Sequence, residues 1–244
     1  MTEEPIPAAT LVLVRDRPAG PPELLMVERA AGMAFAGGAL VFPGGRIDEA
    51  DHDVAGDFAD GAARVAAIRE TIEETAIAVA LQPLPSAEKA LAMQAGLVAD
   101  RPFAALLEAS DLDLSALTPL ARWLPNFHVT RRFDTLFFIA PAPPGDWHPH
   151  VIPGECSGAF WITAAAALER ERGGEARLIF PTRRNLERLA LHDSFEAMRA
   201  DALAHAIEPI TPWVEEREGE RFITIPEDLG YPVTREKLDG LWRG

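Results

Sequence analysis

The spacing of apolar residues divides the chain into alternating strands and helices. Residues 9–14 are apolar and β-prone and read as a buried strand. Residues 15–22 form a turn rich in Pro and Gly. Residues 23–29, with Leu24, Leu25, Met26 and Val27, read as a second strand paired with the first. Gly37 and Gly38 mark a bend, after which a short strand over 39–42 runs into Pro43-Gly44-Gly45. Residues 48–60 hold five Asp and one Glu with little apolar content, and read as a loop. From Ala62 the period turns helical and stays so to about Ala78. A second helical region is expected over 86–110, with Ser86 as its N-cap. Residues 115–123 lead toward another strand, and the apolar, aromatic run 133–140 reads as a central one. Residues 141–153 contain five prolines and form a loop. A short strand at 159–162 is followed by a helix over 163–172 capped by Thr163. Pro181 opens a further helix at its first position, running past Leu191. The tail from Pro209 carries short strands around 222–225.

This alternation, without internal repeats or a low-complexity linker, argues for a layered α/β or α+β architecture. No apolar run approaches the roughly 18 residues of a membrane-spanning helix, and mean hydropathy is +0.01. Residues 1–7 carry two acids and two prolines, where a secretory leader would be basic and then apolar. A cytoplasmic protein with no membrane partner is the expectation. The single cysteine, Cys156, excludes an intrachain disulfide or a multi-cysteine zinc site, and reads as buried structure rather than a nucleophile. A net charge of −15 disfavours a nucleic-acid polymer as partner. It leaves room for small anions, because an acidic pocket that takes up a divalent cation reverses its local sign.

The informative stretch is Arg69-Glu70-Thr71-Ile72-Glu73-Glu74. On a helix at 100° per residue, Glu70, Glu73 and Glu74 fall within one arc of about 100°, and Val65, Ile68 and Ile72 fall opposite. The helix buries an apolar stripe and presents three carboxylates together. Arg69 stands four residues before Glu73, close enough to pair with it. Clustered carboxylates need a compensating charge, and a hard divalent cation, Mg²⁺ or Mn²⁺, supplies it. Taken alone, the hexapeptide reads more readily as a solvated, Glu-rich face than as a cation site. Upstream, Phe42-Pro43-Gly44-Gly45 ends a strand just before this helix, and glycines there let the backbone pass close to a ligand or metal.

Strand, double glycine, acidic loop and carboxylate helix together resemble the Nudix box. That family's pattern is a glycine, five residues, a glutamate, seven residues, then Arg-Glu-apolar-any-Glu-Glu-any-Gly-apolar. Its second half is met by Arg69, Glu70, Glu73, Glu74 and Ile77. Between Gly45 and Arg69 lie 23 residues where the pattern has 13, an insertion of ten. Counted back from Arg69, the glutamate falls on Gly61, which leaves Asp60 or another acid of the loop to take its place. Thr71 replaces an apolar residue. Ala76 replaces the glycine after the glutamate pair, at a cost of about 1 kcal/mol if the backbone there has positive φ. The long loop, Arg132-Phe133-Asp134-Thr135, Glu155 with Trp161, and Phe180-Pro181-Thr182 resemble a coenzyme A diphosphatase-like subgroup.

The resemblance implies a Nudix-type α/β/α sandwich with a mixed sheet. It implies one domain over 1–244, with a helical insertion around 86–122 and a C-terminal extension after about 191. It further implies water attack on one phosphorus of a small diphosphate, coenzyme A or an acyl-CoA being the first candidate, with Mg²⁺ or Mn²⁺ on Glu70, Glu73 and Glu74. Arg69 steadies the carboxylates, and the general base is Glu70, Glu74 or the distal Glu155. Glu155 reads equally as an exposed loop acid. Substrate contacts are expected from Arg29, Gly44, Gly45 and Arg132, although Arg132 reads equally as a structural partner of Asp134 or another acid. His128 reads as an ordinary histidine, and Phe35, Phe127 and Trp161 as core packing before ligand stacking. A homodimer is the family expectation. The competing readings are a non-catalytic Nudix-like binding module, suggested by Gly61 and Ala76, and a scaffold whose glutamates face bulk solvent.

Overall fold

The computed structural model describes residues 4–32, 36–108, 110–125, 132–154 and 156–238. Strand β1 (Ile6–Arg15) pairs antiparallel with β2 (Glu23–Arg29), and β3 (Ala39–Val41) adds to β2. The chain then doubles back, so that β4 (Gly44–Arg46) pairs with the first half of β1, Gly45 opposite Ala9. Helices α1 (Glu49–Ala55) and α2 (Gly61–Thr75) follow. Next come β5 (Leu81–Gln82), α3 (Ala87–Val98), α4 (Phe103–Leu107) and β6 (Asp111–Leu112), with β5 and β6 forming a small ladder of their own. A 3-10 turn at Leu114–Ala116 leads into β7 (Thr118–Trp123) and β8 (Phe133–Pro141). The chain continues with β9 (Cys156–Thr163), α5 (Ala164–Arg172), β10 (Arg177–Leu178), α6 (Phe180–Leu189), α7 (Phe195–Ala204) and β11 (Pro209–Ile210). It closes with a separate ladder of β12 (Trp213–Arg217), β13 (Glu220–Thr224) and β14 (Arg235–Lys237).

The main sheet runs β10-β3-β2-β1-β8-β7-β11, with β4 also on β1 and β9 also on β2. It is mixed, since β1 and β8 lie parallel while β1 and β2 are antiparallel. Side chains alternate across β1. Ala9, Leu11 and Leu13 pack with Val65, Ile68 and Ile72 of α2, whereas Val12 and Val14 pack on the other face with Leu186 of α6 and Met198 of α7. Both faces are therefore covered, which is why β1 reads as an unbroken apolar run. The expected α/β/α sandwich with a mixed sheet is the observed architecture. Among the described residues, no helix is long and apolar enough to cross a membrane.

Several boundaries differ from the sequence expectation. The acidic stretch at 48–60 is not all loop, for α1 lies within it. Glu49 and Asp51 fall in its first turn, where the helix dipole favours acids, and Asp51 reaches back to accept the Asp48 N–H at 2.9 Å. The metal-helix candidate α2 stops at Thr75 rather than Ala78, because Ala76 takes a left-handed conformation (φ 54°) and its N–H closes on the Ile72 carbonyl at 2.8 Å. The helical stretch at 86–110 is two helices, interrupted by left-handed Asp100 and then Pro102. The helix opened by Pro181 ends at Leu189, and α7 is an additional helix.

The end of α2 is closed by distant segments. Gln94 of α3 is fully buried, and its amide nitrogen donates to the Glu73 carbonyl at 3.0 Å and the His150 carbonyl at 2.8 Å. Its amide oxygen faces His150 Nδ1 at 2.7 Å, and the His150 backbone N–H donates to the Thr75 carbonyl at 2.8 Å. Carbonyls that a helix end leaves without intrahelical partners are thus satisfied from outside. Gln94→Leu, similar in size but without the amide, is expected to destabilise the fold by about 2 kcal/mol, read from the urea midpoint. A loss below about 0.5 kcal/mol would show that water replaces the clamp.

Candidate active site

The site begins where β3 turns into β4. Pairing of Gly44 and Gly45 with Thr10 and Ala9 fixes this corner against β1, and α2 runs directly beside it. A Cβ on Gly45 would lie 2.4 Å from the carboxyl carbon of Glu70. The Glu70 carboxylate therefore rests on the bare glycine backbone, a contact only glycine permits. The Gly44 N–H donates to Glu74 Oε2 at 3.1 Å, and a Cβ on Gly44 would meet the Ala9 carbonyl oxygen at 2.4 Å. The glycine pair and two of the three carboxylates thus form one contact surface.

Arg69 lies beneath this surface and is buried. Its Nη1 donates to Glu70 Oε1 at 2.9 Å and stands 3.6 Å from Glu73 Oε2. The expected Arg69–Glu73 pair is present but is the longest of the arginine's contacts. The principal partner is Asp51 of α1, 2 % exposed, whose two oxygens accept from Nε and Nη2 at 3.0 Å each. Nη2 also donates to the Arg46 carbonyl at 2.9 Å and lies 3.3 Å from Asp48. Burial raises the Glu70 carboxyl to about 7; Arg69 opposes that rise and the charge of Glu73 adds to it. The surrounding acids hold Arg69 firmly in its charged form.

Glu74 is buried, with Cys156 Sγ 3.7 Å from its Oε1, while Glu73 stands further out toward solvent. Among the described residues, no group of three or more His, Cys, Asp or Glu side chains is gathered closely enough to form a ready-made metal cage. The three glutamates share the face of α2 beside the glycine corner, with Arg69 as countercharge between Glu70 and Glu73. Their donor chemistry, hard carboxylate oxygen, fits Mg²⁺ or Mn²⁺.

The remaining expected residues gather at the same end of the sheet to differing degrees. Arg29 ends β2 opposite Cys156, two residues after Val27, which packs with Ala39, Val41 and Cys156. Its Nε is buried without a hydrogen-bond partner among the described residues. Arg132 precedes β8, its carbonyl accepting from the Ile6 N–H at 2.8 Å, and its Nε is likewise buried and unpartnered. Asp134 is not its partner: Arg122 holds that carboxylate through both oxygens at 2.8 and 2.6 Å. Trp161 packs structurally, donating to the Trp147 carbonyl at 3.0 Å with Arg15 stacked on its ring. Glu155, Phe35, Phe127 and His128 lie outside the described residues. The residue that sequence reasoning missed is Asp51. Its signal in the sequence is its place five intervening residues after Gly45, a spacing that counting back from Arg69 passes over.

Comparison with models of known protein families gives no match. Among solved structures, the chain is similar to a Nudix hydrolase from Alicyclobacillus acidocaldarius, with TM-score 0.67 and 28 % identity over 81 % of this chain and 97 % of that one. Matches also include the Nudix domain of Shewanella oneidensis NrtR complexed with ADP ribose (TM-score 0.46, 15 % identity, 76 % of this chain and 86 % of that one). A MutT Nudix hydrolase from Burkholderia pseudomallei matches with TM-score 0.42 and 19 % identity, over 76 % of this chain and 98 % of that one. The first likeness, together with the shared fold, supports the Nudix family and a pyrophosphohydrolase activity.

Two predictions follow from the Glu70 contact. In metal-free protein the folded carboxyl keeps its proton to about 7, against about 4.5 for an ordinary glutamate. The folded state then binds more protons than the unfolded chain, so stability falls as pH rises through that window, by on the order of 3 kcal/mol. Urea midpoints at pH 5 and pH 8 in chelator should show a larger fall in the wild type than in Glu70→Gln, which keeps only the part due to Glu187, a carboxyl that burial also raises to about 7; equal falls in both would refute the assignment. A methyl at position 45 displaces only the far end of a flexible side chain, so Gly45→Ala should fold within about 1 kcal/mol of wild type. It should nonetheless flatten the same pH dependence, because Glu70 is pushed toward water.

Proposed function

Starting from a Nudix-type pyrophosphohydrolase, we propose that this chain cleaves the diphosphate linkage of a nucleoside diphosphate derivative, with Mg²⁺ or Mn²⁺ held by Glu70, Glu73 and Glu74. The observation that carries the reading is the contact of Glu70 and Glu74 with the Gly44-Gly45 corner. It leaves a largely desolvated carboxyl whose ionised form calls for a cation. A divalent cation bound there supplies positive charge to the phosphate oxygens and acidity to the attacking water.

The chain's own residues provide the rest. Arg69 keeps Glu70 and Glu73 oriented toward the ion. Arg29 and Arg132, whose Nε atoms have no hydrogen-bond partner among the described residues, offer guanidinium N–H groups to the phosphates at the end of the sheet. The backbone at Gly44 and Gly45 lets a ligand approach without side-chain obstruction. Proton acceptance from water falls to Glu70, Glu74 or Glu155. We propose coenzyme A or an acyl-CoA as substrate, on the resemblance of Arg132-Phe133-Asp134-Thr135 and the long acidic stretch to that subgroup. The helical insertion around 86–122 and the extension after about 191 are taken to belong to this one catalytic domain, and a homodimer is its proposed assembly.

The test is product analysis with coenzyme A, acyl-CoA and a panel of nucleoside diphosphate derivatives, with Mg²⁺, Mn²⁺ or chelator. Cleavage should require metal, and Glu73→Gln or Glu74→Gln should lower kcat/KM roughly a hundredfold or more while leaving the protein folded. Ligand binding without cleavage of any compound would instead support a non-catalytic module. Turnover indifferent to chelator would overturn the metal assignment.

A further inference from the structure

We propose that Asp51 is the positioning acid of this active site, and that the ten-residue insertion follows it rather than precedes it. Read forward, Gly45, five residues and then an acid reproduces the first half of the Nudix pattern with Asp in place of Glu. All the added length then falls between Asp51 and Arg69. Position 61, where backward counting puts the glutamate, has no room for a side chain. A Cβ there would stand 2.8 Å from the Ala55 Cβ and 3.2 Å from the Phe58 Cβ. Asp60 stands at the N-cap position of α2 without a side-chain capping bond, at the opposite end of the helix from the carboxylates.

Asp51 fits the role on geometry. It is 2 % exposed and grips Arg69 through both oxygens at 3.0 Å. The same carboxylate accepts the Asp48 N–H, which fixes it to the start of its own helix. With Nε and Nη2 held in this way, Nη1 points at Glu70 and Glu73. A planar guanidinium gripped along one edge has its remaining N–H directions determined. Asp51 thereby sets where two of the three proposed cation ligands stand, without touching cation or substrate itself.

The proposal rests on the diphosphatase reading above. It is tested by titrating Mn²⁺ into the full chain and following the unbound ion by electron paramagnetic resonance, and by coenzyme A hydrolysis at saturating Mn²⁺. Asp51→Asn should weaken Mn²⁺ binding about tenfold and lower kcat at least tenfold, with KM within twofold of wild type. Asp51→Glu should recover at least half of both. Because Asp51 acts through Arg69, adding Asp51→Asn to Arg69→Gln should change Mn²⁺ affinity by less than twofold beyond Arg69→Gln alone. This double variant removes both members of the buried pair and decides the matter even if Asp51→Asn alone does not fold. Wild-type Mn²⁺ binding in Asp51→Asn, no recovery in Asp51→Glu, or a further tenfold loss in the double variant would overturn the positioning role alone. A wild-type protein that binds no Mn²⁺ would overturn this proposal and the diphosphatase reading together.

Discussion

One buried guanidinium organises the functional end of this molecule. Arg69 is enclosed by Asp51, Asp48, Glu70 and Glu73, and it also donates to the Arg46 carbonyl. Removing one partner of a buried ion pair typically costs about 3 to 5 kcal/mol, since the other charge stays buried. One positive charge cannot neutralise four acids, and the deficit is felt at Glu70, whose burial outweighs the attraction of its neighbour. The same site is therefore stable enough to fold and short of positive charge, the condition under which a cation is drawn in.

Segments before and after it in the chain support the helix that carries the carboxylates. On the N-terminal side, α1 supplies Asp51. At the first turn of α2, Arg64 ties it down, donating to the carbonyls of Ala59, Leu114 and Leu117. At the C-terminal end, Gln94 and the backbone of His150 take up the open carbonyls. Precise placement of ligating groups requires neighbours that fix their orientation, and here those neighbours come from elements on both sides of α2 in the chain. The sheet contributes from the other side, because the antiparallel return of β2 and the parallel start of β8 bring Arg29 and Arg132 to the end where β4 folds back on β1.

Local chemistry and long-range packing divide the credit unevenly. Strand β2 and the cap of α3 at Ser86 stand where the apolar spacing and the hydroxyl placed them. The acidic segment around α1 was unreadable as helix, because five aspartates look like solvated loop until one of them is seen to have a buried arginine. Likewise Arg132 and Asp134, two residues apart, suggested a pair that the sheet does not make. Neighbouring strand β7 offers Arg122 across the ladder, and that partner wins.

What the sequence by itself determined is the angular placement of Glu70, Glu73 and Glu74 on one helix face, together with the buried apolar run of β1. Both follow from backbone periodicity, which is a property of consecutive residues. What only the tertiary structure decided is the company those groups keep. That includes Asp51 on Arg69, bare Gly45 under the Glu70 carboxylate, and Gln94 at the end of α2. Hydrogen bonds and ion pairs reach only about 3 to 4 Å, and which distant side chains come within that range is settled by how the layers pack.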